Sequence, residues 1–86
     1  METRQTATQT TDFDLGACYM LATGRQPAIF LQPGDALTTV EMVNDEATHK
    51  LMMEYAAGSL MVNVKRFAAC RAWIYRQARS LSDLKF

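Results

Sequence analysis

The sequence predicts an α+β fold in the order helix, β-hairpin, helix, helix, with the helices packed on one face of a small antiparallel sheet. Three observations carry this expectation: apolar residues recur at helical spacing in three segments, polar and apolar residues alternate over 37–43, and Pro33-Gly34 separates two short apolar runs. At 86 residues the chain is one domain. In this size range only about 60–65% of the unfolded surface is buried on folding, so stability is expected to be marginal or assisted by oligomerisation. The expected organisation is an N-terminal arm over residues 1–11, a single compact domain over 12–81 and a frayed tail over 82–86.

Residues 1–11 are polar, with no large apolar side chain after Met1, and read as a disordered or weakly held arm. Their Thr and Gln content also suits a strand that orders on contact. The first helix is expected over 14–23, because Thr11 and Asp12 offer N-cap oxygens, Asp14 favours the first turn and Gly24 can end it. Leu15, Cys18, Met20, Leu21 and Ala22 form its expected inner face. Gly16 is a poor helix former and marks close packing by another element.

The hairpin joins residues 28–31 to 37–43 through a type II turn, in which Pro33 fixes φ and Gly34 supplies the positive φ that follows. In its second strand Val40 and Met42 alternate with Thr39 and Glu41, the pattern of one covered and one wet face. The second helix starts near Asp45 and Glu46 and stops before Gly58, with Ala47, Leu51, Met52, Tyr55 and Ala56 at helical spacing. Residues 60–62 read as a short strand or a connector. Asn63 caps the last helix, expected over 64–81, whose core stripe is Phe67, Cys70, Ile74, Ala78 and Leu81. Opposite that stripe lie Lys65, Arg76 and Arg79. Arg66 and Trp73 occupy one flank, Arg71 and Tyr75 the other.

Charge placement is the strongest functional signal. Residues 60–86 carry Lys65, Arg66, Arg71, Arg76, Arg79 and Lys85 against Asp83 alone, a formal +5, while the first 59 residues hold −5, so the net charge of zero conceals a dipolar molecule. Interleaved Arg and aromatic residues suit a protein interface, where Trp, Tyr and Arg dominate binding energy. They suit nucleic acid equally, through phosphate neutralisation and base stacking. Lys65 and Arg66 also sit where the helix dipole disfavours cations, which makes the start of this helix a candidate anion site. The bland alternatives are that both cations extend into water and that Trp73 and Tyr75 cover the core.

Enzyme chemistry finds little footing. His49 is the single histidine and has no Cys or carboxylate at ligand spacing, Ser59, Ser80 and Ser82 lack a nucleophile-elbow context, and the glycines form no phosphate-cradling motif. Asp12, Asp14, Asp35, Asp45 and Glu46 are accounted for by helix caps and a turn. No catalytic residue, metal or cofactor is therefore expected. Cys18 and Cys70 fall on apolar helix faces and read as buried reduced thiols, a disulfide between them being the alternative. The six methionines serve as core filler or line an adaptable interface. There is no basic segment followed by an apolar run at the N-terminus and no long apolar stretch, so a soluble, cytoplasmic protein is expected.

The run from Asp14 to Gly24, the hairpin after it, and Val62-Asn63-Val64-Lys65-Arg66-Phe67 leading into Arg71 together resemble a family of small uncharacterised domains common in bacteriophages and prophages. The likeness covers roughly residues 12–79. Two positions depart from it: Asn63-Val64 stands where such domains often have Asp-Pro, and Ile74 where a second basic residue often follows the Arg. The resemblance implies an accessory role in a phage or mobile element and draws attention to Arg71. The combined expectation is a homodimeric, non-enzymatic protein that binds another macromolecule, a host or phage protein, through Lys65, Arg66, Arg71, Trp73, Arg76 and Arg79. Inhibition of a host defence or regulatory complex is one form of that role, and nucleic-acid binding by the same helix is the alternative.

Overall fold

A computed structural model describes residues 7–31 and 38–83. In chain order these form β1 (Ala7–Thr10), α1 (Phe13–Thr23), β2 (Ala28–Leu31), β3 (Thr38–Val43), α2 (Glu46–Ala57) and α3 (Val64–Asp83). The fold class is the expected one: α+β, with helices packed against an open antiparallel sheet of strand order β1-β3-β2. The Pro33-Gly34 turn lies outside the described residues, but β2 and β3 pair as a hairpin demands, Ile29 opposite Val40 and Leu31 opposite Thr38.

Side chains written into the sequence set the helix ends. Asp12 caps α1, its carboxylate accepting the amides of Asp14 and Leu15. Gly24, at φ 73°, ends α1 by donating its amide to the Met20 carbonyl. Asp45 caps α2 by accepting the Thr48 amide. At the far end Gly58 donates to Tyr55 and Ser59 to Glu54, the paired bonds of a Schellman motif. Asn63 caps α3 through the Arg66 amide. With no Gly or Pro between Val64 and Asp83 to stop it, α3 runs on to Asp83, past its expected end at residue 81. Residues 60–62 are a connector and not a strand.

The expected arm over 1–11 is corrected for its second half, since Ala7–Thr10 form an edge strand against β3, with Ala7 opposite Val43 and Thr10 opposite Val40. Polar chemistry holds it there. Gln9 donates from Nε2 to Glu41 Oε2 across the ladder at 3.1 Å, and the Thr8 hydroxyl donates to Asn44 Oδ1 at 3.3 Å. The apolar alternation that reveals a strand in sequence is missing because both faces of β1 carry small or polar residues.

Helix α1 is the centre of the molecule. Its residues Leu15 to Tyr19 are all buried, because the sheet, α2 and α3 each cover a different side. A Cβ built on Gly16 would lie 3.0 Å from Ile74 Cδ1 and 3.1 Å from Val40 Cγ1, so the expected close packing is real and joins α1, β3 and α3 at one point. The core comprises Leu15, Ala17, Cys18, Tyr19, Val40, Met42, Leu51 and Ile74. Tyr19 keeps its hydroxyl satisfied by accepting the Val43 amide at 3.2 Å. Helix α3 reaches the sheet along β2, whereas α2 packs principally on α1. Within β3, Val40 and Met42 are buried as expected, and Thr39 is buried too, beside Phe30 on the other face. Cys18 is buried, Cys70 half-buried, and both are free thiols.

Candidate functional site

The six residues that the sequence singles out on α3 divide into two groups. Arg71 and Trp73 work within the fold. The Arg71 guanidinium donates from Nε to Asp14 Oδ1 at 2.6 Å and from Nη2 to the Tyr75 hydroxyl at 3.2 Å, and its Cζ lies 4.7 Å from the centre of the Tyr75 ring. The Asp14 hydrogen bond raises the Arg71 pKa above its ordinary value. Tyr75 in turn meets Phe13 edge-on, centroids 4.8 Å apart, so Asp14 and Phe13 in the first turn of α1 clasp the middle of α3. Trp73 is half-buried and packs against the core.

Lys65, Arg66, Arg76 and Arg79 are exposed and make no ion pair among the described residues. They do not form one cluster. Eleven positions separate Lys65 from Arg76, about 16 Å at 1.5 Å per helical residue, so the basic face has two poles. Between them the outward positions are Ala68, Ala69 and Ala72, all exposed.

The connector supplies a feature that the sequence reading missed. Met61 is 91% exposed, Val64 78% and Val62 38%, the densest group of exposed large apolar side chains among the described residues. On one side of the connector lies a groove of about 220 Å³, walled by Cys18, Leu21, Ala22, Leu60 and Val62 with Arg66 on its rim. A hollow of about 300 Å³ that shares Cys18, Leu60 and Val62 with it is also lined by Asp14, Tyr55 and Phe67. A signal was present in Leu60-Met61-Val62-Asn63-Val64. The run is too short and too interrupted for an element, yet three apolar residues between a Gly-Ser stop and a helix cap, with a fourth just past the cap, are costly to leave in water.

The carboxylates have the structural roles expected of them. Asp12 accepts the α1 amides on Oδ1 and the Tyr55 hydroxyl on Oδ2 at 2.7 Å, joining α2 to the start of α1 and pushing the Tyr55 pKa up. Asp45 accepts the Thr48 amide and the Arg25 guanidinium at 2.8 Å, which together lower its pKa to about 2. Burial raises the Cys18 pKa, and Asp14 adds to the effect, so the thiol stays protonated at neutral pH. His49 is exposed and its Nε2 is hydrogen-bonded to Asn44 Oδ1. Among the described residues no group of three His, Cys, Asp or Glu side chains could hold a metal ion, and no helix is long and apolar enough to cross a membrane. Compared with known proteins, the chain matches no family model, no curated protein and no solved structure.

Proposed function

We propose that this chain is a non-enzymatic binding protein that engages an acidic surface of another protein through the outer face of α3. The observation that carries this reading is the division among the α3 cations. Arg71 is committed to Asp14, while Lys65, Arg66, Arg76 and Arg79 stand exposed and, among the described residues, unpaired on a helix whose one described fully buried residue is Ile74. Four cations on one helix with no ion-pair partner among the described residues, in a chain of zero net charge, make sense for a surface that meets opposite charge. The burial of Cys18 and the commitment of Asp12, Asp14 and Asp45 to helix caps and ion pairs support the non-enzymatic part. An accessory role in a phage or mobile element, acting in the cytoplasm and inhibiting a host complex, extends this reading on the family resemblance alone.

Nucleic acid is the second reading, favoured by the absence of any carboxylate on α3 between Val64 and Ser82. Against it stand the two aromatics. Trp73 packs on the core, and Arg71 lies over one face of the Tyr75 ring while Phe13 meets it edge-on, so little aromatic surface is left on which bases could stack. Homodimerisation belongs to the same proposal, because β1 and β2 each keep one unpaired edge. Sedimentation equilibrium tests it.

The functional test is affinity capture from a host lysate, with the native chain compared against a variant carrying Lys65→Glu, Arg66→Glu, Arg76→Glu and Arg79→Glu. Retention of a stoichiometric partner by the native chain and its loss in the variant is the expected result, and equal retention overturns it. Anisotropy titration of labelled DNA and RNA at two salt concentrations separates the readings. Binding that falls steeply with salt, with a logarithmic slope of about −0.9 per phosphate neutralised, would favour nucleic acid.

A further inference from the structure

We infer that the groove beside the connector is the anchoring subsite of this surface, and that it takes one large apolar side chain of an acidic peptide segment whose carboxylate pairs with Arg66. The inference rests on the reading that α3 presents a protein-binding surface, and it names which part of that surface holds the partner and by what chemistry.

Three independent features meet there. The groove has apolar walls formed by Cys18, Leu21, Ala22, Leu60 and Val62, and its volume of about 220 Å³ has room for one large apolar side chain. Its lip is Met61, a flexible thioether that is 91% exposed and free to fold over an incoming side chain. Its rim carries the exposed, unpaired Arg66, with Lys65 next in sequence. An apolar pocket edged by a fork of guanidinium donors recognises an apolar residue with a carboxylate nearby. A basic peptide would meet like charge, and a purely polar one would leave the pocket unfilled. The other pole, Arg76 and Arg79, begins ten residues further along α3, about 15 Å from Arg66 at 1.5 Å per residue, and serves long-range attraction.

The assignment separates affinity from steering. Filling a desolvated pocket and pairing Arg66 slows dissociation, while distant rim cations act on association and on salt dependence.

The experiment is selection of a random twelve-residue peptide library displayed on phage against the full chain. Enriched peptides are then synthesised with a fluorophore and titrated by anisotropy against the native chain, Met61→Ser, Arg66→Glu and the Arg76→Glu/Arg79→Glu pair. All four positions are exposed, so the variants are expected to retain the fold, which their circular dichroism checks. The expected peptides carry Phe, Leu, Met or Trp within four residues of Asp or Glu. Their affinity should fall about tenfold in Arg66→Glu, about fivefold in Met61→Ser and less than about twofold in the distal pair. Peptides lost in the distal pair but indifferent to Met61→Ser would overturn the groove and leave the α3 surface standing. Peptides indifferent to every one of these substitutions would overturn both. Failure to enrich any apolar-acidic sequence overturns the groove alone, since large folded acidic surfaces are absent from the library.

Discussion

Helices α1 and α3 lie against each other, yet they answer to different demands. Helix α1 buries five consecutive residues, Leu15 to Tyr19, and spends its polar groups on caps and on Arg71 and Tyr55. Helix α3 is nearly twice as long, 20 residues against 11, and fully buries Ile74 alone. A helix covered on every side contributes stability and little else. One covered along a single stripe has most of its circumference left for another molecule. Five of the nine basic residues lie on α3, and sequence changes in the two helices should have opposite kinds of consequence.

The contrast breaks first where the helices touch. Ile74→Ala removes the one fully buried side chain of α3 and empties the junction above Gly16, and a loss of about 3–4 kcal/mol in a urea melt is expected. The same truncation at an exposed α3 position should change stability by less than about 0.5 kcal/mol. Gly16→Val attacks the junction from the other side. Because a lone Cβ would already lie 3.0 Å from Ile74, a branched side chain must displace Ile74 or Val40, and a loss of about 2–3 kcal/mol is expected. Stability equal to the native chain in either variant would mean that α3 is not seated on α1 as described.

The clasp between Asp14 and Arg71 comes next in size. Both side chains are substantially exposed, so each single substitution to Ala should cost less than the core changes, while the double variant should cost less than the sum of the two. Arg71→Lys should recover only part of the coupling, since an ammonium cannot hold Asp14, reach the Tyr75 hydroxyl and lie over its ring together. Additive behaviour would return Arg71 to the set of residues available to a partner. Asp45 offers a pH test on α2. Its pKa falls from 3.8 to about 2 in the folded chain, so its ionic contribution is fully present above pH 3.8 and is lost as pH falls through about 2. Asp45→Asn keeps a capping side chain but not the charge. The stability gap between native chain and variant should be constant near neutral pH and close between about pH 4 and pH 2 in acid-titrated melts.

Much of this architecture is legible in the sequence, since caps and periodicity are local. Asp12, Gly24, Asp45, Gly58 and Asn63 mark helix ends through hydrogen bonds within a few residues, so reading them needs no tertiary knowledge. The apolar stripe of α3 follows from spacing in the same way. What stays hidden depends on neighbours. Strand β1 is too polar to announce itself and exists because β3 has an open edge. The burial of Ala17 and Tyr19 on α1 follows from a helix being covered on all sides, which a one-sided periodicity argument misses. The candidate site was half legible. Its four exposed cations could be picked out, but the loss of Arg71 to Asp14, 57 residues away, and the groove beside Met61 arise only when α1, the connector and α3 are brought together.

The smallest effect has the most informative sign. Lys65 and Arg66 occupy the first turn of α3, where the exposed amides and the helix dipole favour anions, and Asn63 already supplies the cap. Replacing both with Glu should therefore raise the stability of the folded chain, by about 0.3–1 kcal/mol at low ionic strength, with the gain fading as salt is added. The matching change at Arg76 and Arg79, far from the first turn, should bring no such gain. If the double substitution stabilises the fold while abolishing capture of the partner, the two cations are held at that turn against the preference of their own helix, as expected of residues kept for binding. A loss of stability in the same variant would mean that Lys65 and Arg66 support the fold, and would move the binding surface away from the start of α3.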